Sequence, residues 1–115
     1  MRRSLLFNFS AIGGKGANMI EGTYRSKLIK KLKVYFPGLI VLHNNPNQIK
    51  GIPDLTLLYH NRYAMLETKM SPNSPKRPNQ DTWISYFKRQ GAFSAFVNAS
   101  NEKEIINELR RYFEV

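Results

Sequence analysis

The apolar positions of this chain change period several times, and each change marks an element. Between residues 21 and 36, Tyr24, Leu28, Leu32 and Tyr35/Phe36 recur at helical spacing, while Lys27, Lys30, Lys31 and Lys33 fill the other positions. This predicts an amphipathic helix stopped by Pro37 and Gly38. Glu21 stands three residues before Tyr24 and seven before Leu28, which puts it on the apolar stripe and turns it toward whatever the helix covers.

Beyond the helix the pattern shortens to that of strands. Residues 39–43 are a β-branched and apolar run, and Asn44, Asn45, Pro46 and Asn47 make a polar loop after it. Residues 54–59 and 62–69 read as two further strands with His60 and Asn61 as a two-residue turn between them. Residues 70–78 hold three prolines and read as a loop. A helix follows over about residues 79–90, with Gln80, Trp83, Ile84 and Phe87 on one face and Gly91 at its end. Residues 92–97 read as a buried strand, and Ser100 is placed to cap a last helix whose apolar face is Ile105, Ile106, Leu109, Tyr112 and Phe113.

The order is helix, three strands, helix, strand, helix. Hairpin-linked strands pair antiparallel, and a strand–helix–strand crossover gives a parallel pair. The expected fold is therefore α/β, a mixed four-stranded sheet flanked by helices in αβββαβα order. The 115 residues suit one domain, taken as 20–115. Residues 1–19 lack periodicity and read as a flexible arm, with Met19 as a candidate internal start. Gly13, Gly14, Lys15 and Gly16 lack the spacing of a phosphate loop and read as linker.

Composition narrows the chemistry. With no cysteine, disulfides, thiol nucleophiles and zinc–thiolate sites are excluded. No apolar run approaches the roughly 18 residues of a membrane span. The opening Met1-Arg2-Arg3-Ser4-Leu5-Leu6-Phe7 is interrupted by Asn8 and Ser10 too early for a secretory leader. The expectation is a protein with no membrane attachment, acting in the cytoplasm, including that of a host cell if phage-encoded.

The net charge of +10 is unevenly spread. Residues 1–80 hold 13 Lys and Arg against three acids, and residues 81–115 hold five of each. A basic body rather than a basic tail is the footprint of a surface that meets polyphosphate, so DNA is the expected partner. The three acids among the first 80 residues are Glu21, Asp54 and Glu67. In such basic surroundings each one calls for a reason.

The 60–61 turn supplies one. It sets Tyr59 against Arg62, Leu57 against Ala64 and, by the same register, Asp54 against Glu67, with Cβ atoms about 4.5–5.5 Å apart. Two carboxylates so placed repel, and a hard divalent cation relieves them. Lys69, two residues past Glu67, shares its strand face and can orient water or offset phosphate charge. Two carboxylates, a cation and a lysine are what in-line hydrolysis of a phosphodiester requires. The competing reading is a carboxylate pair neutralised by Lys69 or an arginine, with no metal.

Gly51-Ile52-Pro53-Asp54, followed by Leu66-Glu67-Thr68-Lys69, resembles the PD-(D/E)XK nuclease superfamily. The chain is most similar to the VRR-NUC branch of stand-alone, Holliday-junction-resolvase-like nucleases. Glu21 matches the acid that opens the first helix of that branch, and Pro78-Asn79-Gln80 with Trp83 matches its Pro-x-Gln and aromatic. The resemblance implies a restriction-endonuclease-like core and Mg²⁺ or Mn²⁺ held by Asp54, Glu67, the backbone carbonyl of Thr68 and Glu21. It implies Lys69 as the catalytic lysine, Glu21 and Gln80 as accessory site residues, and no organic cofactor. The implied activity is metal-dependent endonucleolytic hydrolysis of DNA, selective for branched or junction structures. The glycine- and arginine-rich segment that often precedes the Gly-x-Pro-Asp motif is replaced here by Asn47-Gln48-Ile49-Lys50.

Lys76 and Arg77, in the loop past the lysine strand, are the expected phosphate contacts, with Lys50 and Asn45 beside them. Trp83, Phe87, Phe93 and Phe96 have core spacing, and His43 and His60 are weaker candidates for a ligand or base. A homodimer would suit a two-fold-symmetric junction. The alternatives are a non-catalytic nucleic-acid-binding module and a subunit whose activity needs another chain.

Overall fold

The computed structural model describes residues 13–114, with side chains from Glu21 onward. The first twelve residues of the expected arm lie outside the described residues. Three helices and four strands follow in the expected order: α1 (Gly13–Tyr35), β1 (Ile40–His43), β2 (Leu55–Tyr59), β3 (Arg62–Thr68), α2 (Gln80–Arg89), β4 (Phe93–Val97) and α3 (Glu102–Phe113). The sheet order is β1-β2-β3-β4, antiparallel across the first two pairs and parallel between β3 and β4. This is the mixed α/β sheet that the pattern predicts.

Two local features differ. Helix α1 begins at Gly13, inside the stretch expected to be an arm. Its second half is anchored by buried Leu28 and Leu32, and a helix nucleated there propagates by one hydrogen bond per residue fixed. Ser100 does not cap α3. The helix starts after Asn101, and the hydroxyl of Ser100 donates to Asn98 Oδ1 at 2.7 Å. Asn98 Oδ1 also accepts the amides of Ser100 and Asn101, so an asparagine side chain organises this turn.

The hairpin register holds as read. Tyr59 pairs with Arg62 and Leu57 with Ala64. His60 and Asn61 have φ of 50° and 62°, the left-handed pair that a two-residue turn of matching twist needs. Side-chain alternation then assigns the faces. Leu55, Leu57, Ala64, Leu66 and Val97 lie buried under Leu28, Leu32 and Phe36 of α1 and Ile105, Ile106, Leu109 and Phe113 of α3. Phe36, Tyr59 and Phe113 meet edge to face, their ring centroids 5.4–5.6 Å apart. Helix α2 covers the other face, where the Ser94 hydroxyl donates to the Ile84 carbonyl at 2.8 Å.

Trp83 and Phe87 are not deep core. They stack on each other at 5.7 Å, half-buried, and the Trp83 indole donates to the Lys50 carbonyl at 3.0 Å. That bond ties α2 to the loop that leads into Asp54.

Candidate active site

The C-terminal end of β3 and the approach to β2 carry the three residues of the sequence motif, and three local devices hold them there. Gly51 is the first. Its φ is +84°, and a Cβ on it would lie 2.6 Å from Asn79 Cβ and 2.7 Å from the Pro78 carbonyl oxygen. Only glycine lets the loop before Asp54 press against the start of α2. Asn79 is the second, with a left-handed φ of 72° that turns the chain into the helix and delivers Gln80 to the sheet.

Gln80 is the third device, and it is buried at 4% exposure. Its Oε1 accepts Lys69 Nζ at 2.8 Å and the Arg77 amide at 2.9 Å, while its Nε2 donates to Glu67 Oε2 at 2.9 Å. Two donors converge on one end of the amide, so its other end must face an acceptor. Gln80 is thus a fixed bridge between Lys69 and Glu67, whose own separation, Nζ to Oε2, is 3.9 Å. Lys69 Nζ also donates to the Pro75 carbonyl at 3.0 Å.

Asp54 sits in the bend just before β2, outside the ladder expected to set it against Glu67. Pairing runs from Tyr59–Arg62 to Leu55–Leu66, and Asp54 meets Glu67 through its backbone, its amide donating to Glu67 Oε1 at 3.1 Å. Its carboxylate turns toward α1 instead. Oδ1 accepts the Thr68 amide at 3.2 Å, and Oδ2 accepts the Thr68 hydroxyl at 2.5 Å and Arg25 Nη1 at 3.3 Å. Glu67 belongs to the α2 face and Thr68 to the α1 face, so the two carboxylates straddle the end of the sheet rather than stacking on one side. The chain leaves its ladder at Asp54, and alternation ends with it.

The two still belong to one cleft of about 420 Å³, whose lining includes Glu21, Asp54, Glu67 and Gln80 together with Arg25, Arg77, His43 and Asn44. Residues of α1, the bend before β2, β3 and α2 thus converge; Glu21 lies in the third turn of α1 rather than opening it, and Lys69 is buried and not among the lining residues. Lys76 is directed elsewhere, pairing with Asp81 at 3.2 Å and lying 4.6 Å above the Phe96 ring. Lys50 engages Trp83 through its carbonyl, and Asn45 Oδ1 accepts the Asn47 amide at 2.9 Å; neither lines the cleft. His60, at the turn, approaches the Phe113 carbonyl at 3.3 Å, far along the sheet from this end.

Arg25 and the Thr68 hydroxyl are the two site residues that the strand pattern does not reveal. Arg25 lies four residues after Glu21, on the same helix face, and that spacing is the signal that marks it. Thr68 carries no separate signal in the sequence.

Burial and the neighbouring Asp54 push Glu67 up to about 7, against the smaller opposing pull of Lys69, the Asp54 amide and Arg77. Burial also raises Asp54, although Thr68 and Arg25 hold it down. Burial is the first cause at both carboxyls, and at Glu67 the neighbouring Asp54 adds to it. Among the described residues no three His, Cys, Asp or Glu side chains converge as a metal cage. The donors are hard oxygens, few in number, beside an open cleft. That set fits a Mg²⁺-type ion, which keeps several waters and takes one or two carboxylates.

No protein-family model and no curated protein sequence matches the chain. Among solved structures, a "VRR_NUC domain protein" superposes with a TM-score of 0.58 at 17% sequence identity, over 82% of this chain and 88% of that one. At that identity the likeness is one of fold: the same mixed sheet and flanking helices.

Proposed function

We propose that the protein is a divalent-metal-dependent nuclease that hydrolyses DNA phosphodiesters at the cleft lined by Asp54 and Glu67, with Lys69 held beside Glu67 through Gln80. One observation carries the reading. Glu21, Asp54, Glu67 and Gln80 meet in one cleft, at the end of a strand whose next residue, Lys69, is bridged to Glu67 by Gln80. The similarity of fold to a VRR_NUC domain protein and the basic body of residues 1–80 support it.

Asp54 and Glu67 would hold Mg²⁺ or Mn²⁺, with Glu21 and the Thr68 carbonyl as the further ligands the resemblance implies. The ion would lower the pKa of a water and neutralise charge on the phosphoryl oxygens. The chain's own residues do the rest. Thr68 fixes the Asp54 carboxylate through two hydrogen bonds, and the Asp54 amide and Gln80 fix that of Glu67. Lys69 has three protons, of which Gln80 and Pro75 take two. The third serves the attacking water or a phosphoryl oxygen. Water adds to phosphorus, the P–O bond to the leaving sugar oxygen breaks, and that oxygen takes a proton. Arg77, at the rim of the cleft, receives the phosphate backbone.

The finer part of the proposal is selectivity for branched DNA by a two-fold dimer. Strand β1, at the open edge of the sheet, exposes Ile40 and Leu42, at 54% and 45%, which a second copy would cover. The test is incubation with linear, nicked, flapped and four-way DNA in Mg²⁺, Mn²⁺ or EDTA, with light scattering on the free protein. Cleavage that needs the metal and favours the branched forms is expected. Failure to cut any of them with either ion overturns the nuclease reading. Resolution of four-way DNA by a monomer removes the dimer.

A further inference from the structure

Asp54 already has a cation in this structure. Arg25 leaves α1 one turn after Glu21 and places Nη1 3.3 Å from Asp54 Oδ2, the oxygen that also accepts the Thr68 hydroxyl. A carboxylate offers about four acceptor positions. The Thr68 amide, the Thr68 hydroxyl and Arg25 fill three of them. The two bonds from Thr68 suffice to orient the group. Arg25 adds charge, from a side chain that is 32% exposed.

A divalent ion reaching Oδ2 would meet that guanidinium within a few ångströms. Arginine does not escape by losing its proton, because its charge persists at any working pH. It must move away. Its i−4 neighbour Glu21 lines the same cleft and is itself an acid that faces inward. Once Asp54 and Glu67 are committed to the ion, the one other carboxylate lining the cleft is Glu21, on Arg25's own helix. The phosphate that substrate brings is the further anion, and it suits the paired donors of a guanidinium.

We propose that Arg25 is an exchangeable counter-cation: it holds Asp54 in the metal-free protein, competes there with the divalent ion, and on displacement binds the DNA phosphate. The inference rests on the nuclease reading and adds a switch to it. DNA and metal then assist each other's binding, since each removes a competitor of the other. A merely structural ion pair, by contrast, would change stability and leave both affinities alone.

The test is calorimetric titration of DNA-free protein with Mn²⁺, comparing wild type with Arg25→Met, Arg25→Gln and Arg25→Lys. Thermal melting confirms that each variant is folded, and the Gln variant keeps a hydrogen bond to Asp54 should the Met variant not fold. Removing the charge should tighten Mn²⁺ binding about three- to tenfold, while Lys stays within about twofold of wild type. In a Lys69→Met background that does not cut, Arg25→Met should weaken DNA binding about tenfold with Mn²⁺ present and lower its salt slope by about one. In EDTA the same change should alter DNA binding less than about twofold, because Arg25 is then engaged by Asp54. Wild type that binds Mn²⁺ no differently from both uncharged variants overturns the switch and leaves the nuclease reading standing. A Lys variant that behaves like the uncharged ones overturns the charge argument. Wild type that neither binds Mn²⁺ nor cuts removes both.

Discussion

Raising the pH of the metal-free protein forces a proton off Glu67, and the fold should weaken as it leaves. The residue is 8% exposed, and burial with Asp54 alongside lifts its carboxyl from an ordinary 4.5 to about 7. Below 4.5 both folded and unfolded chains keep the proton, and the group's stabilising contribution is fully present. Between 4.5 and 7 the unfolded chain ionises while the fold does not, so stability falls, and above 7 the contribution is gone. At about 1.4 kcal/mol for each tenfold change in proton affinity, the loss is about 3 kcal/mol. For a domain of this size that lowers the melting temperature by roughly 10 °C or more. Asp54 is shifted the same way and adds to the effect.

The assay is urea denaturation in EDTA at several pH values from about 5 to about 8, for wild type and Glu67→Gln. The variant keeps the shape of the side chain and has no proton to lose. It disturbs the Gln80 bond by an amount that does not depend on pH, so the difference in slope is the measurement. Wild type should lose about 2–3 kcal/mol more than the variant across this range. Added Mn²⁺ should restore wild type most at the alkaline end, where it has no proton to displace. Parallel pH profiles for the two proteins in EDTA would refute the assignment of Glu67 as a carboxyl raised by burial and by Asp54.

Gly51→Ala should cost more than about 2 kcal/mol in urea denaturation, because the left-handed φ and the 2.6 Å approach to Asn79 leave no room for a methyl group. A neutral result there would mean that the loop and α2 are not docked through that contact. Lys69→Met should abolish cleavage in a gel assay yet leave DNA affinity within about twofold, since it removes one of 18 basic residues. Leu57→Ala, a fully buried position between the sheet and its two covering helices, should lower unfolding free energy by about 2–5 kcal/mol.

What the sequence determines by itself is whatever depends on near neighbours along the chain. The period of Leu28, Leu32 and Phe36 makes one helix face, and the alternation around the left-handed His60–Asn61 turn sets every pair from Tyr59–Arg62 to Leu55–Leu66. The scarcity of acids singles out Glu21, Asp54 and Glu67 without any structure, and all three do line one cleft. The tertiary structure alone decides how they meet. Extending the register to Asp54 assumes a regular ladder, but the chain bends there and the carboxylate falls to Thr68 and Arg25. Arg25 is 29 residues from Asp54, and Gln80 is 11 from Lys69 and 13 from Glu67. No periodicity spans such gaps. These contacts exist because α1 and α2 are docked on opposite faces of the sheet, each by apolar burial that carries no record of which polar groups it brings together at the sheet's end.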